Sequence, residues 1–189
     1  MPSTPAASRP GASQGLEDSM AAQVTDPAAD GEAVVVDLTG VGRFQVEARA
    51  GASAFLVDEP KEAGGLGSGP NPFDLLSAAL GSCTVMTMRL YAERKGWPLT
   101  HARARVAHHR GTLEARDTFS LQIDLEGDLD EAQRARLIDV ASRCPVHLTL
   151  NRGAEVATTL LPAGKPVADK TEVLCEHMKT MEEACEDQA

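Results

Sequence analysis

The sequence predicts a mixed α+β domain with elements in the order β-β-β-α-β-β-α-β. Three observations carry this reading. Residues 33–58 hold three short β-rich runs separated by turn signals. A long, nearly uncharged stretch follows from Asn71 to about Lys95, bounded by helix start and stop signals. Two further alternating stretches then lead into a second capped helix and a last apolar run.

The first strand is Ala33–Leu38, and Thr39-Gly-Val-Gly42 turns the chain. Arg43–Arg49 alternates with period two, so Phe44, Val46 and Ala48 share one face. Ala50-Gly51-Ala52 turns again and Ser53–Asp58 resumes, which completes a three-stranded antiparallel meander. Pro60 ends it, and Gly64, Gly65, Gly67, Gly69 and Pro70 form a loop. Asn71 is the cap of the long helix, Pro72 suits its first position, and Asp74 completes an N-x-x-D capping pattern. Gly96 and Pro98 stop it. Its apolar residues lie all round, as expected of a helix inside a core. Thr100–Arg110 and Thr118–Leu125 read as strands. Asp130, with Gln133 three residues on, opens a helix that ends at Arg143, and Val156–Leu161 reads as the last strand.

Three parts follow from this texture. Residues 1–31 are rich in Ala, Ser, Pro and Gly without periodicity, the composition of a disordered extension. Residues 32–162 form the domain. Residues 163–189 form an acidic tail in which Leu174, Met178, Met181 and Cys185 recur at helical spacing. The tail is expected to be an amphipathic helix docked on the body or on a partner, and an interaction element is one role for it. Cys175, His177 and Cys185 include metal-binding residue types, but no spacing of a known zinc class joins them.

The 189 residues carry a net charge of −10 and are 42% hydrophobic but only 3% aromatic. The acidity argues against nucleic acid and anionic membranes as partners, and few rings remain on which bases could stack. No stretch is expected to reach the roughly 20 apolar residues of a membrane span, and the N-terminus lacks a secretory pattern. Four cysteines without a C-x-x-C pair point to working thiols in a reducing cytoplasm, and to neither a disulfide scaffold nor a metal site. Cys83 lies within the apolar helix and Cys144 precedes a proline in Arg143-Cys-Pro-Val-His147.

Asp58-Glu-Pro60, the Gly-rich loop, Gly69–Cys83, Lys95-Gly-Trp-Pro98 and Cys144-Pro-Val-His147 occur here in that order. With these motifs, residues 33–161 resemble the OsmC/Ohr family (osmotically inducible protein C and organic hydroperoxide resistance), in its OsmC-like branch. The resemblance implies an intertwined homodimer whose cysteine-bearing helices are buried together, wrapped by antiparallel sheets. It implies thiol-dependent reduction of organic hydroperoxides with no metal or organic cofactor. Cys83 would attack the peroxide and become a sulfenic acid, Cys144 would resolve it as a disulfide, and a dithiol, in this family often on a lipoyl-bearing protein, would reduce that. A buried thiol needs a cation to ionise. By resemblance Arg43 is the first candidate and Arg49 the second, with Asp74 in place of the glutamate that holds the arginine. Relatives often carry polar residues where this chain has Leu148 and Ser53.

Phe73, Leu76, Met86 and Met88 are candidates for an apolar substrate pocket, with ordinary core packing as the alternative. For His147 the choices are tuning a thiolate or a structural role. The other function class on the same fold is a protein that binds a hydrophobic ligand or senses redox state with little peroxidase activity.

Overall fold

The structure is a computed structural model that describes residues 33–112, 114–160, 162–164 and 176–186. The expected extension over 1–31, Leu174 and Cys175 lie outside the described residues.

Strands β1 (Val34–Leu38), β2 (Val46–Ala50) and β3 (Ser53–Val57) form the expected antiparallel meander. Its register places Val36 opposite Ala48 and Ala48 opposite Phe55. Val34, Val36, Leu38, Val46, Ala48, Phe55 and Val57 therefore share one face. Val34, Val36 and Leu38 on that face are exposed, Leu38 at 80%. Asp58, 2% exposed, then holds the Gly-rich loop. Its carboxylate accepts the amides of Glu59, Leu66 and Ser68 and the Ser68 hydroxyl. Burial opposes ionisation here, but these donors, the Ser68 hydroxyl foremost, hold Asp58 below its ordinary value.

Helix α1 (Pro72–Lys95) starts and stops where the sequence predicts. Asn71 accepts the amides of Phe73 and Asp74, and Asp74 returns the bond to the Asn71 amide at 3.0 Å. Gly96 ends the helix in a left-handed conformation, φ +66°, which a glycine adopts without a Cβ clash. By length and composition α1 is long and apolar enough to cross a membrane, which corrects the expectation that no stretch would be. Its Leu80, Cys83, Met88, Tyr91 and Ala92 are buried within the domain. The helix is not enclosed all round within one chain, since Leu76 and Met86 remain 43% and 51% exposed.

Strands β4 (Leu99–His109) and β5 (Thr118–Gly127) pair antiparallel as a second sheet. Ala102, Ala104, Val106 and His108 lie opposite Leu125, Ile123, Leu121 and Phe119. Period two turns this set toward α1 and leaves Arg103, Arg105 and Asp124 on the outer face. Gly81 permits the close approach, because a Cβ there would stand 3.1 Å from Val106 Cγ2.

Helix α2 (Glu131–Ala141) opens with the predicted Asp130–Gln133 capping box. A short helix α3 (Pro145–Arg152) then follows, where the sequence reading placed only the end of the preceding helix. The last predicted strand does not form. Residues 153–160 are irregular, and Val156 and Leu160 are 87% and 95% exposed. A strand needs an edge to pair with, and among the described residues this segment pairs with none of the open edges of the two sheets.

Helix α4 (Glu176–Glu186) is the predicted tail helix. It docks on the body, packing against α1 and α3. It buries Met181 and Cys185, while Met178, expected on the same face, is 42% exposed. One core cluster joins Met88, Tyr91, Ala92, Leu137, Val140, Ala141 and Cys185. A second, smaller cluster holds Leu80, Cys83 and Cys144, with Val106, Phe119, Leu121, Val146 and Leu150 around it.

Candidate functional site

The second cluster is built by three elements. Helix α1 carries Cys83 on its buried face, one position before Thr84, and both residues are inaccessible to solvent (1% and 0% exposed). The Thr87 hydroxyl donates to the Cys83 carbonyl at 2.8 Å, satisfying itself inside the helix. Cys144 is not the end of α2 but the cap of α3: its backbone is extended, and Pro145 takes the first helical position. This places both sulfurs at the start of α3. The Val146 amide points at Cys83 Sγ at 3.5 Å, and the His147 amide at Cys144 Sγ at 3.4 Å. The Thr84 hydroxyl meets Cys144 Sγ at 3.6 Å. The two sulfurs are within hydrogen-bonding reach of each other, and both thiols are free.

One proton is shared unevenly in this pair. Cys144 is lowered to about 6, first by the hydrogen bond from Cys83, then by the Thr84 hydroxyl and the His147 amide, against the cost of burial. Cys83 is pushed well above the ordinary thiol value, first by its bond to Cys144 and then by burial, with the Val146 amide opposing. The Thr84 hydroxyl and the His147 amide thus favour negative charge on Cys144, whereas the resemblance implies the attacking thiolate on Cys83.

The residues expected to assist Cys83 stand elsewhere. The Arg43 guanidinium lies over the Phe44 ring at 4.8 Å, and no hydrogen bond or ion pair among the described residues joins it to either thiol. Arg49 is held by Asp37 and by Glu47, the latter at 2.7 Å, and these partners raise it above its ordinary value. Asp74 is an exposed helix cap and forms no ion pair among the described residues. Its bond to Asn71 uses the carboxylate that was expected to hold an arginine. What stands beside Cys83 instead is a tail residue: His177 of α4, half-buried, with Nε2 at 3.2 Å from the sulfur.

A cavity of about 630 Å³ adjoins the thiol cluster. Leu76, Leu80, Phe119, Leu121 and Leu150 supply apolar walls, and Arg116, Asp117, His147 and Asn151 supply polar ones. Leu80 belongs to both the cavity wall and the cysteine cluster. Of the four pocket candidates, only Leu76 lines this space. Phe73 stacks on His108 at 4.4 Å and borders a smaller cleft, Met88 is fully buried in the other core cluster, and Met86 is exposed. At the rim, Arg110 grips Asp117 through two hydrogen bonds of 2.6 Å, which hold that carboxylate down at about 2.

Sequence reasoning missed Thr84, the two α3 amides and His177. Pro145 directly after Cys144 is the signal that could have revealed α3, since proline favours the first turn of a helix. His177 had no local signal.

The family model described as OsmC-like protein matches residues 65–159. That range contains both thiols, the loop clasped by Asp58, and the elements from α1 to α3. No curated protein matches the chain. Among solved structures, a Psychrobacter arcticus protein named for an osmotic-stress-induced and detoxification response is 21% identical, with a TM-score of 0.55 over 61% of this chain and 85% of that one. An OsmC-like protein from Mycoplasma pneumoniae is 22% identical, with a TM-score of 0.54 over 65% and 89%. A hypothetical protein from Aquifex aeolicus is 13% identical, with a TM-score of 0.53 over 65% and 89%. At these identities the likeness is one of fold: an α+β arrangement of antiparallel sheets and a long helix.

Proposed function

The chain belongs to the OsmC-like protein family, and on that premise we propose that it is a thiol-dependent peroxidase that reduces organic hydroperoxides in a reducing compartment. The observation that carries the reading is the meeting of Cys83 and Cys144, two free buried thiols with one proton drawn between them, beside a cavity. Dithiol chemistry needs that arrangement, whereas an inert core cysteine does not. The detoxification name of the Psychrobacter protein points the same way.

The chemistry runs in two steps. A Cys83 thiolate attacks the terminal peroxide oxygen, the O–O bond breaks, and the departing alkoxide takes a proton to leave as an alcohol. Cys83 is then a sulfenic acid. The Cys144 thiolate attacks its sulfur, the S–O bond breaks, and hydroxide leaves and is protonated to water. Two thiols and one hydroperoxide thus give one disulfide, one alcohol and one water. An external dithiol, such as a lipoyl group, reduces the disulfide. The leucine and phenylalanine walls of the cavity suit a hydrocarbon tail, which favours organic hydroperoxides over hydrogen peroxide.

We further propose a homodimer as the working form. Val34, Val36 and Leu38 on the first sheet and Leu76 and Met86 on α1 are exposed apolar side chains on ordered elements, a pattern that a second chain would cover.

The test is peroxide consumption with cumene hydroperoxide and dithiothreitol, run with wild type, Cys83→Ser and Cys144→Ser. Wild type should turn over and form one Cys83–Cys144 disulfide per chain by peptide mass spectrometry. Cys83→Ser should be inactive, and Cys144→Ser should stall at the sulfenic acid. A wild-type protein that consumes no hydroperoxide with any dithiol would rule the function out.

A further inference from the structure

The site contains a contradiction. The proposed chemistry needs charge on Cys83, yet the Thr84 hydroxyl and the His147 amide favour it on Cys144, and α3 offers Cys83 only the Val146 amide. Among the described residues of one chain, neither Arg43 nor Arg49 stands beside Cys83: one lies over Phe44 and the other is held by two acids. The group placed to resolve this comes from outside the residues that the family model matches, 65–159.

Helix α4 crosses α1 and α3 at the thiol cluster. Met181, 2% exposed, and Cys185, 8% exposed, anchor it, and Arg94 of α1 donates to the Glu182 carbonyl at 3.2 Å. Docked this way, its first turn sets His177 Nε2 at 3.2 Å from Cys83 Sγ. The ionisable groups about that contact are Cys83 on α1 and Cys144 and His147 at the start of α3. The tail's own Glu182, Glu183 and Glu186 are exposed.

We propose that His177 is a catalytic residue of this site, and that as an imidazolium it moves the thiolate from Cys144 to Cys83. The inference deepens the proposed peroxidase function and rests on it for its purpose. With His177 uncharged, Cys83 gives its hydrogen bond to a Cys144 thiolate. With His177 charged, Nε2–H donates to Cys83 Sγ, the proton between the sulfurs passes to Cys144, and Cys83 carries the charge. No oxidant or outside base is needed, because the sum of protons over the two sulfurs is unchanged by the transfer. A cation at 3.2 Å in this part-buried contact competes with the two neutral donors on Cys144, the Thr84 hydroxyl and the His147 amide. Once Cys83 has reacted, the charge returns to Cys144, which then resolves the sulfenic acid.

The test reads each sulfur separately. Reduced full-length protein is treated with iodoacetamide at pH 7, and alkylation of Cys83 and Cys144 is followed by peptide mass spectrometry. His177→Gln keeps a polar side chain of similar reach but carries no charge; His177→Arg keeps a cation. The ratio of Cys83 to Cys144 alkylation should fall about tenfold or more in His177→Gln and recover at least in part in His177→Arg. An unchanged or higher ratio in His177→Gln overturns the proposal, because the tail would then only cover the thiols. An equal fall in both variants also overturns it, because a packing defect would explain it. Hydroperoxide consumption by the same proteins separates the two readings. No turnover by wild type, with a His177-dependent ratio, removes the peroxidase and leaves this inference standing. Turnover with a His177-independent ratio removes this inference alone.

Discussion

The Thr84 hydroxyl reaches Cys144 Sγ at 3.6 Å, a contact between helices α1 and α3 that joins residues 60 apart in the chain. Thr84 is fully buried, so the bond is shielded from water, and it joins the residue after one thiol to the sulfur of the other. The geometry makes the state of Cys144 depend on the placement of α1.

Replacing Thr84 by valine keeps the shape and removes the donor. Cys144, now lowered to about 6, should move up toward the ordinary thiol value. In a His177→Gln background, which leaves the charge on Cys144, its alkylation rate at pH 5.5 should drop about tenfold, the worth of one hydrogen bond to a charged group. The Cys83 rate should not drop in parallel, and peptide-resolved alkylation distinguishes the two.

The lowered Cys144 also links stability to pH. Between about 6 and the ordinary thiol value of 9.0, the folded chain holds Cys144 ionised while the unfolded chain holds it protonated. The unfolded state therefore binds more protons, and stability rises with pH through this window. The contribution is present in full above the ordinary value and is lost as pH falls through about 6. Cys83 acts oppositely above the ordinary value, because the folded state retains its proton there. Urea denaturation of reduced wild type and Cys144→Ala from pH 5.5 to 8.5 should show a stability difference that grows with pH. A difference that is flat across the range would contradict the assigned charge.

Leu80 is 2% exposed and lies between the cavity and the sulfurs. Truncating it to alanine should cost about 3 kcal/mol in reversible denaturation. It should also open the thiols to the cavity, so that both sulfurs alkylate faster in the folded state. A cost below about 1 kcal/mol would mean that the site collapses around the gap.

Met86 is 51% exposed on the apolar α1 helix, away from the second core cluster. If a second chain covers that surface, Met86→Lys should convert a dimer to a monomer by light scattering. The far-ultraviolet circular dichroism should be unchanged. A wild-type protein that is monomeric at all concentrations would remove the proposed dimer.

Much of the framework was legible because its causes are local. Asn71 and Asp74 bond across three residues, as do Asp130 and Gln133, and Gly96 stops the chain within one turn. Alternation along β4 and β5 states which side chains face the helix without any knowledge of the helix itself. By contrast, Val156–Leu161 has strand composition, yet its described residues stay irregular and exposed, since a strand also requires an unpaired edge beside it. Asp74 shows the same division. Its cap bond was legible from spacing alone, whereas an arginine partner would have had to come from a distant hairpin, and among the described residues none does.

The sequence by itself determined most of the elements, the two thiols and the family, because short-range hydrogen bonds, periodicity and motif order are written along the chain. The tertiary structure alone decided which charges those thiols meet. Packing α3 against α1 brings the Val146 amide to Cys83 and the Thr84 hydroxyl to Cys144, and docking α4 sets an imidazole beside Cys83. Those contacts join residues far apart in the chain, where only the burial of Leu80, Met181 and Cys185 and the fit of the helices against each other specify who stands beside whom.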